Sequence, residues 1–321
     1  MNCSSGPSVK LPRSQRASTA AYVGYSLGLL ICILGTQISG ADKPSMKYKM
    51  SFDRQASVGE RFRINCSYKS TETATFAAKG GRDPWKRRLS ANCQGIWKTL
   101  SMGKNGAPSK VSLAVDRCTY TLDDGPEQSL PPGRIITAEI KDGTTIFSMN
   151  VGEIPEEVNR VLNEFMRPRS EGISSADERF GSKEPRRVGE EWPVGAIATA
   201  ATFRSVGSNV ADKDVKGSVK LTGIRKMDGV DCFVIDSDYR VANITPKSPM
   251  ADRLDIIGEF HERATVLLPM DVPKKRIGFS VVTEWKHHYT WKPDDGFATP
   301  VDQTSRVEFD EHSVPLESIQ E

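Results

Sequence analysis

Polar and apolar residues alternate with a period of two over most of this chain, and that period predicts strands rather than helices. Ser112 to Leu122 reads Ser-Leu-Ala-Val-Asp-Arg-Cys-Thr-Tyr-Thr-Leu. Ile135 to Ile140 and Thr144 to Met149 flank Lys141-Asp142-Gly143, while Val219 to Ile224 and Val230 to Ile235 flank Met227-Asp228-Gly229. Asp-Gly between two β-prone runs marks a hairpin, because glycine accepts the positive φ of a tight hairpin turn. Two such hairpins make antiparallel sheet the default architecture. The longest strand is predicted from Ile277 to Trp291, where Phe279, Val281, Trp285, His287, Tyr289 and Trp291 share one face and Ser280, Glu284, Lys286, His288 and Thr290 the other. At about 3.3 Å per residue it extends roughly 45 Å, a length that curved sheets and barrels use. Glu259 to Leu268, with the turn from Pro269 to Lys275, supplies its partner.

A helical period is convincing only over residues 154–167. There Val158, Val161, Leu162, Phe165 and Met166 fall on one side, Pro155 near the start costs no hydrogen bond, and Glu156, Glu157 and Arg167 suit the helix dipole. Pro168 stops it. A weaker helical turn is read around Met250 to Ile257. The Ser-, Gly- and charge-rich segment 169–187 reads as a linker or crossover between an N-terminal β half (42–168) and a C-terminal β half (188–321). Val58-Gly59-Glu60-Arg61-Phe62 and Val188-Gly189-Glu190-Glu191-Trp192 echo each other, each ahead of a strand-like run. The predicted fold is therefore mainly β: a curved antiparallel sheet, as a half-barrel or as two related β halves, with one amphipathic helix against it.

The start of the chain is different in kind. Lys10, Arg13 and Arg16 precede an uncharged, mostly apolar run to about Ala41, ending in Ser39-Gly40-Ala41, which reads as a secretory signal peptide over residues 1–41. The run is also long enough to serve as an uncleaved membrane anchor, and either reading sends the remainder out of the cytoplasm. Gly24-Tyr25-Ser26-Leu27-Gly28 matches a hydrolase nucleophile pattern but lies inside this apolar run, without the strand-turn-helix setting the pattern needs. Cys32 lacks the small preceding residue of a lipid-anchored leader. The whole chain has 44 Lys and Arg against 41 Asp and Glu, so losing the three N-terminal cations leaves 41 of each. Net charge then points to neither nucleic acid nor membrane as a partner, and membrane contact is confined to the N-terminal segment. Cys66, Cys93, Cys118 and Cys232 remain as candidate disulfide cysteines, with three pairings open.

The run from Phe180 to Trp192, Phe-Gly-Ser-Lys-Glu-Pro-Arg-Arg-Val-Gly-Glu-Glu-Trp, together with the later Asp-Gly hairpin and the long C-terminal strands, resembles uncharacterised exported bacterial β-rich proteins of the domain-of-unknown-function type. These are similar in outline to half-barrel periplasmic lipoprotein carriers. The resemblance implies a curved sheet wrapped around a helix with an apolar concave face. It carries no functional residue across.

Candidate chemistry is sparse. His261-Glu262 lacks the second histidine of a zinc helix, and adjacent His287 and His288 point to opposite faces of one strand. Asp212-Lys213-Asp214-Val215-Lys216-Gly217 begins like a calcium loop but has Lys at the fifth position and no closing Glu. Asp236-Ser237-Asp238 and Asp294-Asp295-Gly296 read as acidic turns. No catalytic or metal residue is assigned, and no cofactor. One basic stretch stands out: Lys79, Arg82, Lys86, Arg87, Arg88 and Lys98, extended by Lys104 and Lys110, hold one acid, Asp83, with Trp85 and Trp97 interspersed. Such a stretch binds an anionic envelope component through charge and stacking, or forms a solvated outer face. The reading is an exported, non-enzymatic binding or carrier-like envelope protein whose partner is a lipid or anionic component. Its ligand would lie on the face of Phe279, Val281, Trp285, His287, Tyr289 and Trp291. A secreted hydrolase using His287, or a purely structural envelope protein, is the alternative; nucleic acid is not expected.

Overall fold

The computed structural model describes residues 46–54, 56–77, 84–104, 106–141, 143–166, 168, 173–247, 256–271, 278–291 and 299–316. The signal-like segment, the weak helical turn before Ile257, and Lys79 and Arg82 lie outside them. The chain forms β1 (Arg61–Phe76), β2 (Trp85–Met102), β3 (Pro108–Leu122), β4 (Gln128–Leu130), β5 (Ile135–Lys141) and β6 (Thr144–Met149). Helices α1 (Glu156–Phe165) and α2 (Ala176–Phe180), strand β7 (Glu191–Pro193), helix α3 (Ala196–Ser205) and strand β8 (Ser208–Asn209) come next. The chain closes with β9 (Val215–Met227), β10 (Val230–Pro246), β11 (Ile257–Pro269), β12 (Gly278–Trp291) and β13 (Thr299–Pro315).

All of these strands belong to one open antiparallel sheet, in the order β6-β5-β3-β2-β1-β13-β12-β11-β10-β9-β7, with β4 beside β3 and β8 beside β10. The chain starts at the centre, meanders out to β6, crosses to the far edge at β7 and meanders back. β13 then zips onto β1 from Phe62 opposite Pro315 to Phe76 opposite Val301. First and last strands thus join the two meanders into a single sheet. The period-two prediction is plain on β1, where Phe62, Ile64, Cys66 and Tyr68 alternate with exposed or half-exposed neighbours. In the second Asp-Gly hairpin, Asp228 (φ 49°) and Gly229 (φ 79°) both take the positive φ of a tight primed turn.

The sequence echo is a real structural repeat. At Ser57 to Glu60 the Glu60 carboxylate accepts from the Ser57 N–H, the Gly59 N–H donates to the Thr99 carbonyl, and the Thr99 N–H donates back to the Glu60 carbonyl. At Arg187 to Glu190 the Glu190 carboxylate accepts from the Arg187 N–H, and Gly189 and Glu190 make the same exchange with Leu221. Phe62 and Trp192 then enter the core, 7% and 4% exposed. Beyond these aromatics the two copies diverge: β1 continues as a strand, but the run after Trp192 becomes α3 instead of the expected strand. Its Ala-Ile-Ala-Thr-Ala-Ala sequence has no apolar stripe, because small alanines and threonines pack on the sheet through close approach rather than through bulk. Segment 169–187 also contains α2, whose Ser175 and Glu178 form a reciprocal capping box.

One face of the sheet carries the helices. Val158, Val161, Leu162 and Met166 of α1 and the turn after it pack on β1, β2, β3 and the centre of β12 and β13, with Phe165 stacked on Phe309 at 6.1 Å. α3 packs through Ala200 and Phe203 on Tyr239, Val241 and Phe260. Beside it Tyr48, Met50 and Phe52 cover Trp192, Leu221, Phe233 and Ile235. The helices therefore fill much of the inner face.

Cys66, Cys93 and Cys118 lie in one row across β1, β2 and β3, each opposite the next, and Cys93 and Cys118 form a disulfide. Cys232 lies on the outer face beside Leu267, where burial pushes its thiol pKa up. The disulfide fits an oxidising compartment. It closes a chain separation of 25 residues, so reduction is expected to cost about 3 kcal/mol through chain entropy. Denaturant midpoints measured with and without a strong reductant, using Cys118→Ser as control, test this.

Candidate functional site

The long strand places Phe279, Val281, Thr283, Trp285, His287 and Tyr289 on the inner face, as the alternation requires. The stripe is not uniform. Phe279 and Val281, 7% and 2% exposed, are sealed in the core under α1. Trp285 packs with Phe203 of α3 at 5.9 Å and Phe260 at 4.7 Å. His287 stacks on Trp285 at 5.4 Å, and both it and Tyr289 are half-buried. Trp291 ends the strand, and its side chain lies outside the described residues.

His287 owes its position to Gly258, opposite it on β11: a Cβ there would meet the imidazole at 2.8 Å. Burial lowers the pKa of His287, so the ring is neutral at pH 7. Among the described residues its ring meets Trp285 and Gly258 and makes no hydrogen bond to a carboxylate or serine. The region around His287 and Tyr289 is completed by Phe76 of β1 and by Val301 and Gln303 of β13 on the same face. It lies beyond the α1-covered stretch of the stripe, and polar and aromatic edges meet there half-buried.

A second constellation was not anticipated in the sequence. Arg179 of α2, Tyr239 of β10 and Glu262 of β11 meet beneath α2, at 4%, 0% and 2% exposure. Arg179 donates from Nη2 to the Tyr239 hydroxyl at 3.0 Å, and that hydroxyl bonds the Glu262 carboxyl. Burial pushes the Glu262 carboxyl up to about 7 despite Arg179 and the Tyr239 hydrogen bond, and pushes the Tyr239 phenol far above its ordinary 10. Glu262 Oε2 and Arg179 Nε are buried with no hydrogen-bond partner among the described residues. α2 is held above this centre by a reciprocal clasp. Asp177 accepts from Ser51 Oγ and the Phe52 N–H, and Asp53 accepts from the Ala176 and Asp177 N–H groups. The legible signal was an acid at an inward position of an alternating strand, between Phe260 and Ala264. Perturbed titration in a cleft marks catalysis, but these groups lie closed off, so the arrangement acts as a polar latch between α2 and the sheet.

The described members of the basic stretch, Lys86, Arg87, Arg88 and Lys98, turn to different partners or lie at different ends of the strand. Arg87 turns to the helical side, where Glu157 (3.4 Å) and Glu156 (4.0 Å) of α1 take it. Arg88 faces out to Asp124 at 3.1 Å and Lys110 to Glu139 at 3.1 Å. Lys86 and Lys98 are exposed at opposite ends of β2, roughly 40 Å apart at 3.3 Å per residue. His288 and His312 are engaged by Asp302 (2.7 Å) and Asp228 (2.8 Å).

Among the described residues no helix is long and apolar enough to cross a membrane. No family model matches the chain, and no curated protein does. Solved structures give distant likenesses. A DUF1329 family protein from Desulfovibrio piger is 11% identical over 76% of this chain and 83% of its own, with a TM-score of 0.15. The S-type phycobiliprotein lyase CPES from Guillardia theta is 10% identical over 82% and 89%, with a TM-score of 0.16. The OccK7 (OpdD) protein of Pseudomonas aeruginosa is 7% identical over 81% and 100%, with a TM-score of 0.22. All are met at very low identity, and such TM-scores carry no argument.

Proposed function

We propose that this is an exported, non-enzymatic binding or carrier-type protein of the cell envelope, taking an apolar ligand between α1 and α3 on the inner sheet face. The observation that carries this reading is the gradient along β12: Phe279 and Val281 are sealed by α1, whereas His287 and Tyr289 stay half-buried on the same face. An apolar chain laid over this step continues the covered core outward, and a neutral His287 accepts it without the desolvation cost of a charge. α1 is fastened at its polar flank by Arg160 to Glu72 (3.4 Å) and Arg87 to Glu157 (3.4 Å). These half-buried pairs and the sealed Val158, Val161, Leu162 and Met166 hold α1 in place, so it forms the fixed wall of the site.

Protein purified from its own envelope fraction is expected to release a co-purifying lipid in native mass spectrometry. Tyr289→Asp is expected to weaken binding of the fluorescent fatty acid cis-parinaric acid by about tenfold, the effect of 1.4 kcal/mol. An empty wild-type protein with no affinity for the probe overturns the proposal.

A further inference from the structure

The face opposite the helices holds a groove of about 650 Å³ across β9 to β12, and this volume suits a small-molecule ligand. Its floor is a row in strict register: Lys216 opposite Arg240, Arg240 opposite His261, and His261 opposite Glu284. One end is formed by the turn at Lys213 and Asp214 together with a bulge in β10 between Val241 and Ile244. In that bulge Asn243 takes a positive φ of 53° and donates its amide to Asp214 Oδ1 at 2.9 Å. Bulges re-aim side chains and recur beside binding sites.

The charges of the groove are unevenly satisfied. Asp238 is taken by His261 Nε2 at 2.8 Å, and Glu284 by Arg306 and by Arg263 at 3.6 Å. Lys213, Lys216, Arg240 and Lys286 line the same groove and make no ion pair among the described residues. Lys216 and Arg240 face each other directly, and like charges at directly opposed positions destabilise a sheet. The fold therefore holds two adjacent cations whose mutual repulsion an anion would relieve. Arg240 offers the planar fork that takes an acid group through two hydrogen bonds, with Lys216 as a second charge. Around them Glu259 and Asp214 offer acceptors and Asn243 an amide, the groups that hydrogen-bond hydroxyls.

We infer that this outer groove is a second binding site, separate from the inner face, for a small acidic saccharide: an acid group on Lys216 and Arg240, hydroxyls on Glu259, Asp214 and Asn243. The acid is a carboxylate or a phosphate ester, which share the same fork geometry.

Titration calorimetry at low ionic strength with trigalacturonate and glucose 6-phosphate tests it, with maltotriose and inorganic phosphate as controls. At least one acidic sugar is expected to bind ten times more tightly than either control. Lys216→Ser with Arg240→Ser is expected to abolish that preference while leaving the thermal midpoint unchanged or slightly higher. Equal binding of acidic sugars and maltotriose, or of inorganic phosphate and the sugars, overturns the proposal. So does a fall of several degrees in the double variant, which marks the two cations as structural. His287 and Tyr289 lie on the other face, so parinaric acid binding is unaffected and the two sites fail independently.

Discussion

Replacing Arg179 with Met is expected to cost about 2 kcal/mol at pH 8, because Glu262 without its cationic neighbour takes up a proton and, with its folded pKa about 7, the pH-dependent part of the cost is capped near ~1.4 kcal/mol. At pH 5 the cost falls to about 1 kcal/mol or less. The difference comes from Glu262. Burial raises its folded-state pKa from an ordinary 4.5 to about 7, so at pH 8 it is ionised, and Arg179 is its cationic neighbour in the latch. At pH 5 it is neutral, and replacing a buried guanidinium with an apolar chain of similar length loses chiefly the hydrogen bond to Tyr239. The same raised pKa means that stability from Glu262 is fully present below pH 4.5 and is lost as pH rises to about 7. That loss is about 3 kcal/mol at 1.36 kcal/mol per pKa unit, and Glu262→Gln should flatten it. Chemical denaturation of the wild type, both variants and the double variant at the two pH values decides the matter. An Arg179→Met cost that does not change with pH defeats the latch.

Phe203→Ala is expected to lower stability by about 3 to 5 kcal/mol, as large-to-small changes in sealed cores do. Phe203 is fully buried in α3 and touches Phe260 at 5.4 Å and Trp285 at 5.9 Å. The cavity left behind would open beside Trp285, on the side away from α1, and join the half-buried step at His287. Parinaric acid binding per folded molecule should then rise while the denaturation midpoint falls. A variant that loses stability without gaining probe affinity would show that this flank of the stripe is core alone.

How much could be read beforehand depended on the range of the interaction. The two faces of β12, both hairpins and α1 were legible, since each rests on contacts within a strand, a turn or four residues of helix. The Gly-Glu-aromatic echo was legible as a pattern, and its hydrogen bonds to Thr99 and Leu221 gave it a physical reason. α3 was missed because its burial is made by alanines that carry no periodic hydrophobicity. α2 was missed because its five residues owe their helix to a capping box and to Asp53, more than a hundred positions away.

The sequence by itself thus determined which residues face which side of each strand, because backbone geometry sends successive side chains to opposite faces whatever the partner. The tertiary structure alone decided what each face meets. It sealed Phe279 and left Tyr289 half-buried, held Lys86 and Lys98 at opposite ends of β2, and chose Cys118 as the disulfide partner of Cys93. It also set Lys216 against Arg240. These outcomes depend on which distant strand lies alongside, and local alternation carries no information about that pairing.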